Sequence, residues 1–179
     1  RQRQMCIRDR YKGKEFQIRM CGKHQINNAL TAIEAAELLR KGVFELSDKN
    51  IRDGIKKAKV KLRIELISKN PPVIADGGHN MSGIDSLIEI LNELDCKVIG
   101  IVGMVRGKDV KYAAERLSGI LDAAICADGY IDNNIPSAEL KDYFTCPCEA
   151  MDYKNAIERA VGVAEERNAA VLILSLIHI

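Results

Sequence analysis

Tryptophan is absent and the other aromatics are few, five Tyr and three Phe in 179 residues. Net positive charge is small as well. The formal charge is +2, but the first ten residues hold Arg1, Arg3, Arg8 and Arg10 against Asp9 alone, so the rest of the chain sums to −1. Without stacking faces or a basic excess, a nucleic-acid surface is excluded, and any phosphate bound should be small. Long apolar runs are missing: nothing approaches the roughly 20 consecutive apolar residues that cross a bilayer, and no apolar segment follows the Arg-rich start. The expectation is a cytoplasmic protein with no membrane partner. CxxC pairs are missing too. Of six cysteines only Cys146 and Cys148 are close, at a spacing of two that suits neither zinc nor thioredoxin-type chemistry, so all six read as reduced thiols. Finally, no GxxxxGK[ST] phosphate loop occurs anywhere.

What is present suits one ordinary domain, or one domain with a piece of another, and 47% apolar residues suffice for a core. The opening Met5–Arg10 and the closing Ser175–Ile179 resemble translated adapter sequence, so residues 1–10 and 175–179 are set aside from the fold. Phe16–Cys21 alternates apolar and polar side chains and predicts a strand ending at Gly22. Ile26, Leu30, Ile33, Ala36 and Leu39 recur at helical spacing and predict a helix over 25–39, closed by Lys41-Gly42. Ser47 and Asn50 announce a second helix through Ile51, Ile55 and Ala58.

After Lys61 the texture changes to strands alternating with helices, the pattern of an α/β domain around a mainly parallel sheet, and a boundary is expected near 59–62. Strands are predicted at 63–68, 72–75, 97–102, 123–127, 145–146 and 169–174. Helices are predicted at 81–94, 108–121, 137–143 and 153–167.

Three stretches could carry chemistry. Pro71–Asn80 is an apolar strand running into the turn Asp76-Gly77-Gly78-His79-Asn80 and then a helix. In an open parallel sheet such a turn lies where ligands gather, and glycines and free helix N–H groups favour an anion. The alternative is that Asp76 and Asn80 only make the turn and cap the helix. Gly22–Ala29 gathers His24, Gln25, Asn27 and Asn28 at a helix start, and side-chain amides can read an adenine edge. The plainer alternative for His24 is a hydrogen-bonded structural histidine. Arg63 lies just past the boundary, where a guanidinium can grip phosphates or simply form a surface ion pair.

In order, Gly22-x-His-Gln-x-x-Asn-Ala29, Arg63-x-Glu65, Asp76-Gly-Gly-His-Asn80 and Gly103–Asp109 resemble the folylpolyglutamate synthase branch of the Mur ligase family, over roughly residues 16–174. The resemblance implies a Rossmann-like, mainly parallel sheet with flanking helices over 61–174, preceded at 11–60 by the tail of a central ATP-binding domain. It implies an ATP-dependent ligase that joins L-glutamate to a folate or dihydropteroate through an acyl phosphate, acting as a cytoplasmic monomer. ATP would be held by Asn28 at the adenine, Arg63 at the phosphates and Asp76 nearby. His79 would serve the catalytic, glutamate-side cleft, and Lys108 and Asp109 would organise the neighbouring loop.

Mg²⁺ is implied as well, with its ligands expected outside these 179 residues, as is the phosphate loop; the chain alone is therefore expected to be inactive. Several positions depart from the family pattern. Gly78 stands where Ala is usual, a small difference in size. Gly107 replaces an Asp, Lys61-Leu62 replaces Pro-Gly, and Pro136-Ser137-Ala138 lacks an expected Arg. Two other readings share the same turn: a different Mur-type amide ligase, and a non-catalytic nucleotide- or anion-binding α/β module.

Overall fold

The computed structural model describes residues 7–42, 44–78, 80–129 and 131–174. These fall into two compact units, Arg1–Lys61 and Leu62–Ile179.

In the first unit, β1 (Ile7–Tyr11) and β2 (Lys14–Ile18) form an antiparallel hairpin. Lys12 and Gly13 both take positive φ, 48° and 76°, the two-residue turn whose twist matches that of paired strands. Residues 7–10, set aside with the N-terminal stretch on sequence grounds, thus form most of β1. The expected strand at 16–21 is displaced toward the N-terminus, because pairing ends at Ile7 opposite Ile18.

Helix α1 (His24–Arg40) follows the predicted span, but its buried face is Gln25, Ala29 and Ile33, while Leu38 and Leu39 are exposed. Helix α2 (Asp48–Lys57) begins with the expected capping box: Ser47 Oγ accepts from the Asn50 N–H, and Asn50 Oδ1 accepts from the Ser47 N–H. Phe16, Ile33 and Ile51 form the small core between these elements.

The second unit is an α/β layer structure. Its strands are β3 (Glu65–Lys69), β4 (Pro72–Asp76), β5 (Val98–Val102), β6 (Ala123–Asp128), β7 (Cys148–Asp152) and β8 (Ala170–Leu174). They lie in the order β3-β4-β8-β5-β6-β7, all parallel except the β3–β4 hairpin. Connecting helices are α3 (Met81–Leu91), α4 (Val110–Ser118), α5 (Ser137–Lys141) and α6 (Tyr153–Arg167). The mainly parallel α/β architecture expected from the alternating pattern is the one observed.

The central strands are apolar along their whole length, as strands covered on both faces must be. Ile99, Ile101, Ile125, Ala127 and Val171 meet Ala156, Ala160, Val163 and Ala164 of α6 on one side. The last predicted strand before α6 is misplaced by the sequence pattern: it is not at 145–146 but at 148–152. Pro147 cannot donate to a ladder, so the strand starts beyond it. As an edge strand with a half-exposed face, it also shows no alternation to detect.

Candidate nucleotide-edge site

Strand β4 brings Val73, Ile74 and Ala75 into the sheet and delivers Asp76 at its carboxyl end, level with Leu174 of β8, itself level with Val102 of β5. Beyond β4 the chain passes over β8 to reach β5, and ligands of open α/β sheets collect at such a crossing. Helix α3 starts at once, capped by Asn80, whose Oδ1 accepts from the Gly83 N–H at 2.8 Å.

Asp76 is only 4% exposed, and both carboxylate oxygens are engaged by backbone. Oδ1 accepts from the Gly78 N–H at 2.6 Å and Oδ2 from the Ile64 N–H at 2.8 Å. A third bond, from the Gly77 N–H to the Leu62 carbonyl at 2.7 Å, completes a clasp between the turn and the segment 62–64. The segment is strained. Leu62 (φ 59°) and Ile64 (φ 51°) occupy the left-handed region, an uncommon place for a branched side chain and a costly one for β-branched Ile64. Such backbone persists only where surroundings over-determine it; here the Asp76 carboxylate, the Leu62 carbonyl and the burial of the Ile64 side chain do so. Arg63 stands exposed between the two strained residues.

The turn glycines differ in purpose. A Cβ on Gly77 would lie 3.5 Å from the Leu62 carbonyl oxygen, an ordinary contact. A Cβ on Gly78 would fall 2.5 Å from Asp76 Oδ1, so the Gly-for-Ala difference noted in the sequence is not a small one in this arrangement. The side chain that caps α3 is Asn80 alone; Asp76 serves the clasp.

Next along the carboxyl edge, the loop 103–109 is zipped to the loop 129–136 by backbone. The Ile135 N–H donates to the Met104 carbonyl at 2.8 Å and the Arg106 N–H to the Asn133 carbonyl at 3.2 Å. Arg106 makes a two-pronged pair with Glu139, its Nη2 2.8 Å from Oε2, and the Ser137 N–H donates to Asp128 Oδ2 at 2.6 Å. The order of this loop therefore comes from backbone and Arg106. Lys108 and Asp109 are exposed, and Asp109 heads α4 without a side-chain capping bond.

In the first unit the predicted adenine-reading stretch forms a side-chain relay at the start of α1. Asn28 Nδ2 donates to Gln25 Oε1 at 3.1 Å, and Gln25 Nε2 lies 2.9 Å from His24 Nε2. The second ring nitrogen of His24 is Nδ1. That atom is buried and has no hydrogen-bond partner among the described residues. Gln25, 4% exposed, is the anchor of the relay.

Of the four predicted site residues, Arg63 and Asp76 are brought together on the second unit. Asn28 sits exposed on the first, and His79 lies outside the described residues.

Comparison with known proteins agrees with this architecture. The family model described as Mur ligase, glutamate ligase domain, matches residues 62–175. The dihydrofolate synthase/folylpolyglutamate synthase of Bacillus subtilis is 31% identical over 113 residues, covering 62% of this chain and 26% of the relative. Among solved structures, the folylpolyglutamate synthase of Thermotoga maritima is 28% identical with a TM-score of 0.69, covering 91% of this chain and 39% of that one. The Mycobacterium tuberculosis folylpolyglutamate synthase, complexed with ADP and AMPPCP, has a TM-score of 0.79 at 18% identity, covers 94% and 44%, and shares the fold. The chain thus spans about a quarter of the length of the curated relatives it matches, 24–26%.

Proposed function

Because the chain belongs to the Mur ligase family through its glutamate ligase domain, we propose that it is part of an ATP-dependent ligase that adds L-glutamate to a folate or dihydropteroate. In that reaction the γ-phosphoryl group of ATP passes to a substrate carboxylate, and the glutamate amine then displaces phosphate from the acyl phosphate. Such chemistry asks the protein chiefly for placement and for cations facing the phosphates. The observation that carries the reading is the clasp. It holds an exposed guanidinium, Arg63, on strained backbone beside the carboxyl edge of a parallel sheet.

In this reading Arg63 meets the phosphates and Asp76 fixes the backbone that presents it. Asn28, already oriented by Gln25, turns its remaining amide groups to the adenine. His79 is assigned to the glutamate side. Residues 11–60 are read as the tail of a central ATP-binding domain. Mg²⁺ would offset phosphate charge; among the described residues no group of three or more His, Cys, Asp or Glu is placed to hold it. No helix among the described residues is long and apolar enough to cross a membrane. A monomer in the cytoplasm completes the proposal.

Two measurements test it. Titrating ADP into the isotopically labelled chain should shift the amides of Gly77 and Gly78 and the side-chain N–H signals of Arg63 before others. Shifts confined to another face of the second unit overturn the assignment. The chain alone, given ATP, glutamate and dihydropteroate, should release no ADP above background, since it contains no phosphate loop. Clear turnover refutes that part.

A further inference from the structure

The six cysteines look scattered along the chain, but the sheet brings two of them together. Cys148 opens β7 directly opposite Ala124 of β6, and Cys126 lies two residues further along β6. Side chains two apart share a face of a sheet, so both sulfurs project to the same side. That side is opposite the face on which Ile125 and Ala127 meet α6. The two Sγ atoms are 3.3 Å apart. Both are free thiols, as are Cys96 and Cys146 among the described residues. Cys126 is fully buried and Cys148 half-exposed, so Cys148 is the more accessible residue of the two.

We propose that Cys126 and Cys148 are a dithiol modification site, oxidised by hydrogen peroxide to an intrachain disulfide that staples edge strand β7 to β6. The Cys148 thiolate attacks a peroxide oxygen and becomes a sulfenic acid, while the other oxygen leaves as hydroxide and takes up the proton released by the thiol. The Cys126 sulfur then attacks the sulfenic sulfur, forming the S–S bond. The hydroxyl group leaves with the Cys126 proton as water. In sum two thiols lose two hydrogens and two electrons, and one peroxide becomes two waters.

The local chemistry divides the roles the same way. The hydrogen bond shared with Cys126 pushes the Cys148 thiol below the usual range, with the nearby Lys141 ammonium of α5 acting in the same direction and burial and Glu149 against it. That bond and burial push Cys126 up, which suits a resolving thiol that stays protonated until used. Cys146, the closest cysteine in sequence, is pushed up by burial and is the poorer nucleophile.

A disulfide bond is about 2.05 Å long, so the sulfurs must approach by about 1.2 Å. The offset of the pair along the two strands means that the start of β7 shifts in doing so. β7 is at the sheet edge, and among the described residues β6 is its one strand neighbour, so the movement disturbs a single strand pairing. A bridge closed across offset positions should be readily reduced.

The test uses the full chain, folded, with excess hydrogen peroxide and then alkylation of remaining thiols. Wild type should lose two hydrogens in intact mass, yield a linked Cys126–Cys148 peptide on proteolysis, and recover its thiols in dithiothreitol. Cys148→Ser and Cys126→Ala should each abolish that peptide, while Cys146→Ser should keep it. Should Cys126→Ala fold poorly, Cys148→Ser at the half-exposed position and the wild-type peptide map decide by themselves. A bridge from Cys148 to Cys146 or Cys6 overturns the proposal. So does accumulation of Cys148 as sulfinic acid with Cys126 still a free thiol.

Discussion

Replacing Asp76 by Asn removes one charge and almost no volume, which makes it a clean probe of the clasp. The carboxylate accepts two backbone N–H groups, from Ile64 at 2.8 Å and Gly78 at 2.6 Å, at a position 4% exposed. A hydrogen bond to a charged acceptor contributes about 1.5–3 kcal/mol, and a buried donor left unpaired costs about 1–3 kcal/mol. An amide can accept only one of the two; its NH₂ group then faces the other N–H, donor against donor. The expected loss for Asp76→Asn is therefore about 2–3 kcal/mol. For Asp76→Ala, which loses both bonds, it is roughly 3–5 kcal/mol.

With a urea m-value of about 1.5 kcal/mol/M, the Asn substitution should lower the unfolding midpoint of the second unit by more than about 1 M. Asn80→Ala, which removes only the α3 cap, should cost about 1 kcal/mol and serves as the local comparison. The assay is urea unfolding of the full chain followed by far-ultraviolet circular dichroism. If Asp76→Asn costs no more than Asn80→Ala, the carboxylate does not hold the Leu62–Ile64 segment and the argument for Arg63 presentation fails with it.

Gly78→Ala should weaken the same clasp, because its Cβ would fall 2.5 Å from Asp76 Oδ1; a change in midpoint smaller than that of Gly77→Ala would contradict this. Gly100→Ala in β5 would drive a methyl to 2.5 Å from Leu121 Cδ1, and overpacking of this kind should cost about 1–3 kcal/mol in thermal unfolding. Ser47→Ala removes the capping box of α2 and should cost about 1 kcal/mol in the unfolding of the first unit. Asp48 is held down to about 2 by Lys14, at 2.7 Å, and by Arg40. Its folded value lies below the unfolded one of about 3.9, so its contribution is full above that pH and disappears as pH falls through about 2. Between pH 5 and 2 the first unit should lose more stability in wild type than in Asp48→Asn, as measured by acid titration of circular dichroism.

Much of the fold was legible in the sequence because it is written in near neighbours. The Ser47–Asn50 box, the Asn80 cap and the period of α6 each depend on residues within a turn or two. The alternation of apolar strands with amphipathic helices after Lys61 determined a layered α/β unit, since each pattern can bury only one kind of face. The same nearness placed a turn at Asp76–Gly78, at the carboxyl end of β4. Other features had no such signal. The face of α1 was misjudged because Gln25, a polar residue, is buried while Leu38 and Leu39 are not. Edge strand β7 carried no alternation to reveal it.

Tertiary structure alone decided the matters that join distant residues. It inserted β8 between β4 and β5, where its apolar side chains are covered on both faces, and so set the carboxyl edge at Asp76, Leu174 and Val102. It bent Leu62 and Ile64 into left-handed backbone that neither residue favours, since a carboxylate twelve residues past Ile64 in the chain repays the strain. It also set Cys126 against Cys148 rather than leaving Cys148 with its sequence neighbour Cys146. Strand order, strained loops and side-chain pairs of this kind depend on which surfaces share burial once the chain is compact. Local spacing has no term for that.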